Sequence, residues 1–365
     1  MITDDHFYAI IMAGGGGTRL WPVSRRKRPK QMLNLLREES LFLMCISNLE
    51  GVIPPERILV VTAVDQAGQL QQQAPQIPRV NFILEPQPRG NAAAVGLASV
   101  FLQRRDAAAV TAILAADIIF QNVEGYRSLL RSAFMAAQAG YLVTLGIEPT
   151  YPATGYGYIE RGERIPLNLP HAVNSVNKFK EKPNLELAKR MMADGRHVWN
   201  SGLFIWRVAQ VLGEYQRNMP ELWQILQTIL AKCAGDAPIP EAISADWEKI
   251  QPQTIDFGIM EKAQKVAVLS ASGLGWNDIG CWDSLYEVLP ADENGNIRRG
   301  EHILLDHSRR TLVFSENHRP ILAVGLEDTI IIDGEEALLI CQRDESQQVK
   351  EVVKILKDSG RERYL

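Results

Sequence analysis

Four consecutive glycines, Gly14–Gly17, follow a short apolar run and are followed directly by Thr18 and Arg19. Lys30 comes eleven residues after Arg19. A run of glycines costs conformational entropy on folding, so it indicates a place where the backbone must come close to another group. Exposed backbone N–H groups with nearby Arg and Lys side chains are typical of a polyphosphate site. The pattern therefore predicts a nucleotide-binding loop that begins at Ala13.

Two common phosphate-binding loops do not fit this segment. No Gly-Lys-Ser/Thr closes it, so it is not a Walker P-loop, and Arg19 stands where a dinucleotide fingerprint needs its third glycine. A plain flexible turn would not need Arg19 or the Pro29-Lys30 pair. The combination favours a functional loop over a turn.

The loop resembles the sugar-nucleotidyltransferases, whose signature is G-x-G-T-R-L followed by Pro-Lys. The stretch from Arg19 to Arg25, with Pro29-Lys30-Gln31, is similar to that of the mannose-1-phosphate guanylyltransferases. The resemblance covers nearly the whole chain and implies GMP transfer from GTP to α-D-mannose 1-phosphate, with GDP-mannose and pyrophosphate as products. The chain ends where bifunctional relatives continue into a phosphomannose isomerase domain, so we do not expect that second activity.

Arg19 and Lys30 are the predicted catalytic residues. Nucleotidyl transfer builds charge on phosphate oxygens, so catalysis depends mainly on positioning and electrostatic stabilisation. Arg19 suits the leaving β- and γ-phosphates through bidentate contact, and Lys30 suits the α-phosphate as a point charge.

Asp117 and Asp278 are the predicted Mg²⁺ ligands, because Mg²⁺ takes one or two carboxylates together with phosphate oxygens and water. Asp117 follows an apolar run, and Ala115-Ala116-Asp117-Ile118 keeps only the carboxylate of the family's Pro-Ala-Asp-His. Asp278 lies in Gly275–Trp282, which resembles the family's G-W-S/N-D-V/I-G-S-W. Either aspartate could instead cap a helix or complete a turn.

Three segments resemble the family's acceptor site. Gly155 and Tyr156 lie in a stretch that alternates glycine with aromatics, which would let the backbone approach a sugar ring. Glu181 and Lys182 match F-x-E-K-P and would bind sugar hydroxyls and the sugar phosphate. Asn200 matches W-N-S-G-M-F and would contact a hydroxyl. Each segment alone is also compatible with a hairpin or a surface turn.

Glu85, Arg89 and Asn91 are the predicted base-side residues, in a segment that resembles E-P-x-x-R-N-T-A-P-A. The Glu85 carboxylate could accept from guanine N1–H and N2–H₂. Gly90-Asn91 replaces the family's Asn-Thr, and Asn91 could instead cap the following helix. The later stretch Thr254–Lys262 resembles S-I-D-Y-A-V-M-E-K, and we expect it to be structural.

Composition narrows the class of protein. The 365 residues carry a formal net charge of −4, and the sequence pI is about 6.0, which argues against non-specific binding to nucleic acid or anionic membranes. Four widely spaced cysteines without a C-x-x-C pair favour a reducing cytoplasm. No stretch approaches the roughly 18 apolar residues of a membrane span. The basic run from Arg25 to Arg28 is expected to attract phosphate.

Strands and helices alternate from residue 7 to about 147, which predicts a doubly wound, mostly parallel α/β sheet with ligands at the carboxyl ends of strands. We expect a helix at Val64–Gln73 and a short strand at Asn81–Leu84 that leads to Glu85, and a later helix around 208–232. Short apolar segments every eight to ten residues after Pro290 predict a small all-β, β-helix-like domain. The predicted domains are 1–290, a Rossmann-like nucleotidyltransferase domain, and 297–365, the β-helix-like domain with a terminal helix. A homodimer is also expected.

Three functions remain open on the sequence alone. The first is the guanylyltransferase; the second is a nucleotidyltransferase for another nucleotide or sugar 1-phosphate, given the departures at Gly90, Asn91 and Ile118. The third is a regulatory paralogue that binds a nucleotide sugar without turnover. Retention of both predicted metal ligands favours an enzyme over the third.

Overall fold

The computed structural model describes residues 4–365. Within that range the α-helices are α1 Leu41–Ser47, α2 Val64–Gln73, α3 Asn91–Arg105, α4 Val123–Gln138, α5 Leu185–Ala193, α6 Val208–Asn218, α7 Pro220–Lys232, α8 Pro240–Trp247 and α9 Val349–Asp358. The strands are β1 Phe7–Met12, β2 Ile58–Ala63, β3 Phe82–Glu85, β4 Val110–Ala115, β5 Ile118–Phe120, β6 Leu142–Ile147, β7 Tyr158–Arg164, β8 Val173–Lys180, β9 His197–Arg207, β10 Val266–Ser270, β11 Trp276–Asp278, β12 Ile297–Arg299, β13 Ile303–Asp306, β14 Leu312–Ser315, β15 Ile321–Val324, β16 Thr329–Asp333 and β17 Leu338–Gln342.

A nine-stranded sheet has the order β3-β2-β1-β4-β9-β6-β10-β8-β7. Its first four strands are parallel, with Met12 opposite Val61 on one side and opposite Ala115 on the other. These strands are apolar and buried on both faces, as parallel strands between helices must be. Glu85, the last residue of β3, pairs with Ala63 of β2. The sheet therefore carries Glu85 at the carboxyl edge of its parallel part.

The other half of the sheet is largely antiparallel. The long strand β9 runs antiparallel to β4, β6 and β7, and β8 runs antiparallel to β7 and β10. Only β6 and β10 form a parallel pair there. The predicted α/β architecture is confirmed, but the parallel pairing is confined to fewer strands than the regular alternation before residue 147 indicated. The difference arises because β9 inserts between β4 and β6 and runs antiparallel to both, and β7 and β8 form an antiparallel pair.

The chain forms two compact units. The sheet unit contains the residues up to Gly14, Cys45–Ala116 and Phe120–Trp276, and the C-terminal unit contains Gly15–Met44, Asp117–Ile119 and Asn277–Leu365. The glycine-rich segment, which we assigned to the domain 1–290, therefore groups with the C-terminal residues. The reason is packing: Leu20 and Trp21 lie in one buried apolar cluster with Phe314 and Ile332.

Short strands form the β part of the C-terminal unit, and they pair in parallel except for β17, which runs antiparallel to β16. One sheet has the order β12-β14-β16-β17, and β13 pairs with β15 in a second sheet. Leu312, Ile330 and Ile332 are fully buried in the apolar cluster of this unit. The predicted β-helix-like tail is confirmed, and the amphipathic helix α9 follows it as expected.

Local sequence explains most helix boundaries. Asn122 and Asn184 cap α4 and α5 by accepting from the N–H three residues on. We predicted a single helix over 208–232, but the structure has two, because Pro220 cannot continue the first helix and instead starts the second. Among residues 4–365 no helix is both long enough and apolar enough to cross a membrane.

Candidate active site

The glycine loop is shaped by one position in particular. Gly17 has φ of +57°, and a Cβ built there would lie 2.6 Å from Lys30 Cβ and 2.7 Å from Ser24 Oγ. Only glycine fits that space and that backbone conformation. The Ser24 hydroxyl donates to the Gly16 carbonyl at 3.0 Å. The loop is thus held against the residues that lead to Lys30.

Lys30 and Asp117 form an ion pair in the C-terminal unit. Lys30 Nζ lies 2.8 Å from Asp117 Oδ2. The Lys30 side chain is 10% exposed, whereas that of Asp117 is 37% exposed. Burial keeps the ammonium group in a fixed position, while the carboxylate remains open to a second cation. The pairing brings the predicted α-phosphate ligand next to a predicted metal ligand.

Arg19 follows the loop in a short 3₁₀ turn and is exposed. Its Nη1 donates to Gln347 Oε1 at 3.0 Å and lies 3.8 Å from a Cβ built at Gly280. Two of the other basic residues form ion pairs: Arg25 pairs with Glu336, and Arg28 pairs with Glu316. Both arginines thus have carboxylate partners in the same chain, and the phosphate attraction that we expected of the basic run stays a prediction.

Asp278 lies in an acidic environment. Burial, together with the carboxylates of Asp283 and Asp278, raises the pKa of Glu287 above its usual value. Asn277 Nδ2 donates to Glu287 Oε2 at 2.5 Å. In residues 4–365 no group of three or more His, Cys, Asp or Glu side chains could hold a metal. Mg²⁺ needs only one or two carboxylates besides substrate oxygens and water, so hard oxygen donors at Asp117 and Asp278 fit it.

In the sheet unit, Glu85 is buried with an exposure of 7%. Its Oε1 has no hydrogen-bond partner among the described residues, and its Oε2 lies 3.9 Å from a Cβ built at Gly14. Burial raises the pKa of Glu85 from 4.5 to about 7. An unpartnered buried carboxyl costs free energy unless a ligand supplies donors.

Of the other residues predicted on the base side, some are hydrogen-bonded within the protein and some carry a buried polar atom without a partner. Ala13 donates its N–H to Val61 O at 2.9 Å, so it anchors the loop to β2 and offers no free amide. Asn91 accepts from the Ile255 N–H at 2.9 Å through its Oδ1 and does not cap α3, whose N-cap is Gly90. Arg89 Nε, like Glu85 Oε1, is buried without a partner in the described residues.

Glu181 and Lys182 are held in a constrained turn after β8. Lys182 has φ of +43°, a strained conformation for a non-glycine residue that is typical of functional positions. Its Nζ lies 3.0 Å from Glu181 Oε1, and the Glu181 N–H donates to Glu261 Oε1 at 3.0 Å. A Cβ at Gly157 would overlap Glu181 Oε2, so a larger residue there would displace the Glu181 carboxylate.

Asn200 is buried in a polar chain with residues that we did not assign to the site. Its Oδ1 accepts from Thr144 Oγ1 at 2.9 Å, and its Nδ2 donates to Asp256 Oδ1 at 3.0 Å. Asp256 is 9% exposed, and burial together with the Glu181 carboxylate raises its pKa to about 6. The motif around Asp256 was visible in the sequence, but its burial beside Glu181 was not. A lone threonine inside the apolar strand β6 was the other available signal.

Aromatic side chains surround this group. Tyr156 packs edge-on against Trp199 and Trp276, with ring centroids 5.1 and 5.4 Å apart. The indole N–H groups of both tryptophans are buried and have no hydrogen-bond partner in residues 4–365. Nothing lies within 4 Å of a Cβ built at Gly155. The uncrowded backbone at Gly155, the aromatic side chains and the unpaired indole N–H groups together suit a sugar, whose ring carries both apolar faces and hydroxyl groups.

The predicted residues thus form two groups. Thr18, Arg19, Lys30, Asp117 and Asp278 belong to the C-terminal unit, with Gly15–Gly17. The sheet unit holds Ala13 and Gly14, the base-side residues Glu85, Arg89 and Asn91, and the acceptor-side residues Gly155, Tyr156, Glu181, Lys182 and Asn200. Glu181 and Asn200 lie close together, because Asp256 contacts one and is influenced by the other.

Comparison with known proteins identifies the family. The nucleotidyl transferase family model matches residues 8–295, and that of the MannoseP isomerase/GMP-like beta-helix domain matches residues 300–356. The mannose-1-phosphate guanylyltransferase ManC of Salmonella typhimurium is 34% identical over 98% of this chain and 74% of its own length. Mannose-1-phosphate guanylyltransferase 2 of Escherichia coli O157:H7 is 32% identical over 100% of this chain and 76% of its own length.

A solved structure agrees with these relatives. The structure from Thermus thermophilus, described as a mannose-1-phosphate geranyltransferase, superposes with a TM-score of 0.86 at 31% identity. The superposition covers 96% of this chain and 99% of the other. A structure described as mannose-6-phosphate isomerase from Helicobacter pylori, 21% identical with a TM-score of 0.60, shares the fold over 75% of this chain. The chain belongs to the nucleotidyl transferase family and, within it, to the mannose-1-phosphate guanylyltransferases.

Proposed function

We propose that this enzyme transfers GMP from GTP to α-D-mannose 1-phosphate and releases pyrophosphate. A phosphate oxygen of the sugar phosphate attacks the α-phosphorus of GTP in line, and the bond to the bridging oxygen of pyrophosphate breaks. The products are GDP-mannose and pyrophosphate. Such a transfer requires little covalent chemistry from the protein, so most of the catalytic effect comes from holding the two phosphates and stabilising the charge that develops.

The observation that carries the choice of nucleotide is the unpartnered Glu85 carboxyl. Guanine offers N1–H and N2–H₂ on one edge, which matches the two oxygens of a carboxylate, and neither adenine nor a pyrimidine offers that pair of donors. The carboxyl lies beside Gly14, and the buried Arg89 Nε in the same segment also lacks a protein partner among residues 4–365. A ligand that satisfies both groups would recover the free energy that their burial costs.

On the triphosphate side, Lys30 would neutralise the charge that builds on the α-phosphate, and Arg19 would hold the leaving pyrophosphate. Asp117 and Asp278 would hold Mg²⁺. A bound Mg²⁺ supplies positive charge that stabilises phosphate oxygens in the transition state. The ion pair between Lys30 and Asp117 keeps the ammonium group in place before the triphosphate arrives. Because Asp117 is partly exposed, its carboxylate can take a second cation without breaking a buried contact.

On the acceptor side, Lys182 would bind the sugar phosphate, and Glu181 would accept from sugar hydroxyls. Tyr156 and the indole N–H groups of Trp199 and Trp276 would line the ring. Asn200 Oδ1 accepts from both the Thr144 hydroxyl and the Gly202 N–H, so only its second Nδ2 hydrogen would be available for a hydroxyl. Its main contribution would be to hold Asp256 in place.

A pyrophosphate-release assay tests the proposal. The four common nucleoside triphosphates are each combined with mannose, glucose and galactose 1-phosphates, with and without EDTA. We expect the largest kcat/KM for GTP with mannose 1-phosphate, and loss of activity in EDTA. Glu85→Gln should reduce the preference for GTP over ATP, whereas Glu248→Gln, an exposed control, should leave it unchanged. Equal rates with GTP and dTTP would refute the assignment of guanine.

We also propose, from the sequence, that the enzyme is a cytoplasmic homodimer that acts on these small molecules without nucleic acid or membrane. Light scattering on the purified protein measures the oligomeric state directly. A monomer at assay concentration would refute the dimer without affecting the assignment of the reaction.

A further inference from the structure

Gln347 connects two segments of the C-terminal unit that contain predicted active-site residues. Its Oε1 accepts from Arg19 Nη1 at 3.0 Å, and its Nε2 donates to Cys281 Sγ at 3.1 Å. Arg19 belongs to the glycine loop, and Cys281 follows Asp278 by three residues. The Gln347 side-chain amide thus contacts both Arg19, just after the four glycines, and Cys281, just after Asp278.

Gln347 is itself held by a well-anchored turn, the 3₁₀ segment Arg343–Gln348. The guanidinium group of Arg343 pairs with Asp283 at 2.5 Å and stacks 3.9 Å above the ring centroid of Tyr286. The Arg343 N–H donates to Asp328 O at 2.7 Å. Ser346, next to Gln347, is buried with an exposure of 2%. The amide is therefore presented from a rigid support.

We propose that Gln347 is a positioning residue for Arg19, through which the C-terminal β-helix-like segment contributes to pyrophosphate binding. This inference rests on the proposed function of Arg19. An exposed arginine loses rotamer entropy when a ligand fixes it. A hydrogen bond from one Nη1 hydrogen restricts the side chain beforehand and leaves the remaining donors of the guanidinium fork for phosphate oxygens.

The arrangement also explains why one side chain must be an amide. A carboxylate at position 347 could accept from Arg19 but could not donate to Cys281 Sγ. A lysine could donate but could not accept. Glutamine alone among the long polar side chains does both, and it adds no charge that would compete with phosphate for the guanidinium group.

The test compares Gln347→Met with Gln348→Met. Both side chains are exposed and the substitution is the same, but Gln348 is not the residue that accepts from Arg19. Initial rates are measured in both directions, with mannose 1-phosphate and GTP, and with GDP-mannose and pyrophosphate. We expect Gln347→Met to raise the KM for pyrophosphate by about 2- to 10-fold, the range of one net hydrogen bond. The KM for mannose 1-phosphate and the parameters of Gln348→Met should be unchanged.

A double-mutant cycle separates this inference from the proposed function. If Arg19→Ala weakens pyrophosphate binding, and Gln347→Met adds nothing in the Arg19→Ala background, Gln347 acts through Arg19. Gln347→Glu keeps the acceptor but adds a negative charge that competes with phosphate for the guanidinium group, so it should not restore the KM for pyrophosphate. An unchanged pyrophosphate KM in folded Gln347→Met, or tighter binding, would overturn the inference. If Arg19→Ala itself left pyrophosphate binding unchanged, the proposed role of Arg19 would fail first.

Discussion

Substitution of Glu85 by Gln should stabilise the folded protein at neutral and alkaline pH while it impairs guanine recognition. Burial raises the pKa of this carboxyl from 4.5 to about 7. At about 1.4 kcal/mol per pH unit, the ionised form costs about 3 kcal/mol of folding free energy. Glutamine has nearly the same shape and carries no charge, so it avoids that cost.

The sign of the pH dependence follows from the direction of the pKa change. Below pH 4.5 the carboxyl is protonated in both the folded and the unfolded chain. Between pH 4.5 and about 7 the unfolded chain releases its proton first, so the contribution of Glu85 to stability falls as the pH rises. Above pH 7 the full cost applies. The stability difference between Glu85→Gln and the unsubstituted protein should therefore grow from pH 5 to pH 8.

Urea unfolding at pH 5, 6, 7 and 8 measures that difference. Glu248→Gln, an exposed substitution of the same type, is the control and should show no such trend. The expected increase for Glu85→Gln from pH 5 to pH 8 is about 2.5 kcal/mol, because part of the full cost already applies at pH 5. A difference that stays constant from pH 5 to pH 8 would show that the carboxyl is not desolvated in the folded chain, and the argument from its burial would then be wrong.

The affinity for guanine should depend on pH in the opposite direction from the stability: it should increase as the pH rises. The carboxyl must be ionised to accept two hydrogen bonds, so the KM for GTP should rise below pH 7 by up to about tenfold per pH unit. In Glu85→Gln the KM for GTP should be higher throughout and nearly independent of pH. Inosine triphosphate lacks the 2-amino group, and we expect it to be about 10- to 150-fold poorer than GTP with the unsubstituted enzyme. Equal use of the two nucleotides would contradict a contact between Glu85 and N2–H₂.

Further outcomes follow from the other charged groups. Lys30→Ala should lower kcat by about 10²- to 10³-fold in steady-state assays, the usual effect of losing one donor to developing charge. Lys182→Ala should act mainly on the KM for mannose 1-phosphate, and an effect on GTP instead would contradict its assignment. Asp117→Ala should leave the far-ultraviolet circular dichroism unchanged while it removes Mg²⁺-dependent activity. Asp256→Asn should raise the free energy of unfolding above pH 6 by up to about 3 kcal/mol in urea titrations, because the pKa of Asp256 rises from 3.8 to about 6.

The sequence predicted those helices and strands that have strong local signals. It did not predict contacts between residues that are far apart in the chain. Helix α2 begins and ends where we expected, at Val64 and Gln73, and the carboxyl end of β3 carries Glu85 as expected. The pairing of Arg25 with Glu336 joins residues about three hundred positions apart, so no local pattern indicates it. A basic run looks the same in sequence whether its partners are phosphates or carboxylates of the same chain.

The candidate site shows the same difference between what local sequence indicates and what only the fold reveals. Resemblance to the motifs of the family pointed to Glu181 and Asn200 as site residues, and their roles stay predictions. Sequence contains no measure of burial, so it could not show that Asp256 lies within hydrogen-bond distance of Asn200, or that burial and the Glu181 carboxylate raise the pKa of Asp256. Similarly, Gln347 has no motif of its own and gains its importance only from the fold that brings it to Arg19.

Glu85 and Asp256 share a physical property that links stability to function. Both are buried acids whose pKa values are raised in the ligand-free chain, so ionisation of both at pH 8 reduces its stability. A fold selected for stability alone would have neutral groups at these positions. Guanine, which would donate hydrogen bonds to Glu85, would lower the pKa of that carboxyl and restore the free energy that its ionisation costs. We therefore expect GTP to raise the melting temperature more at pH 8 than at pH 5.5. A scanning fluorimetry series in which the shift with GTP is equal at both pH values would show that the Glu85 carboxyl does not meet guanine.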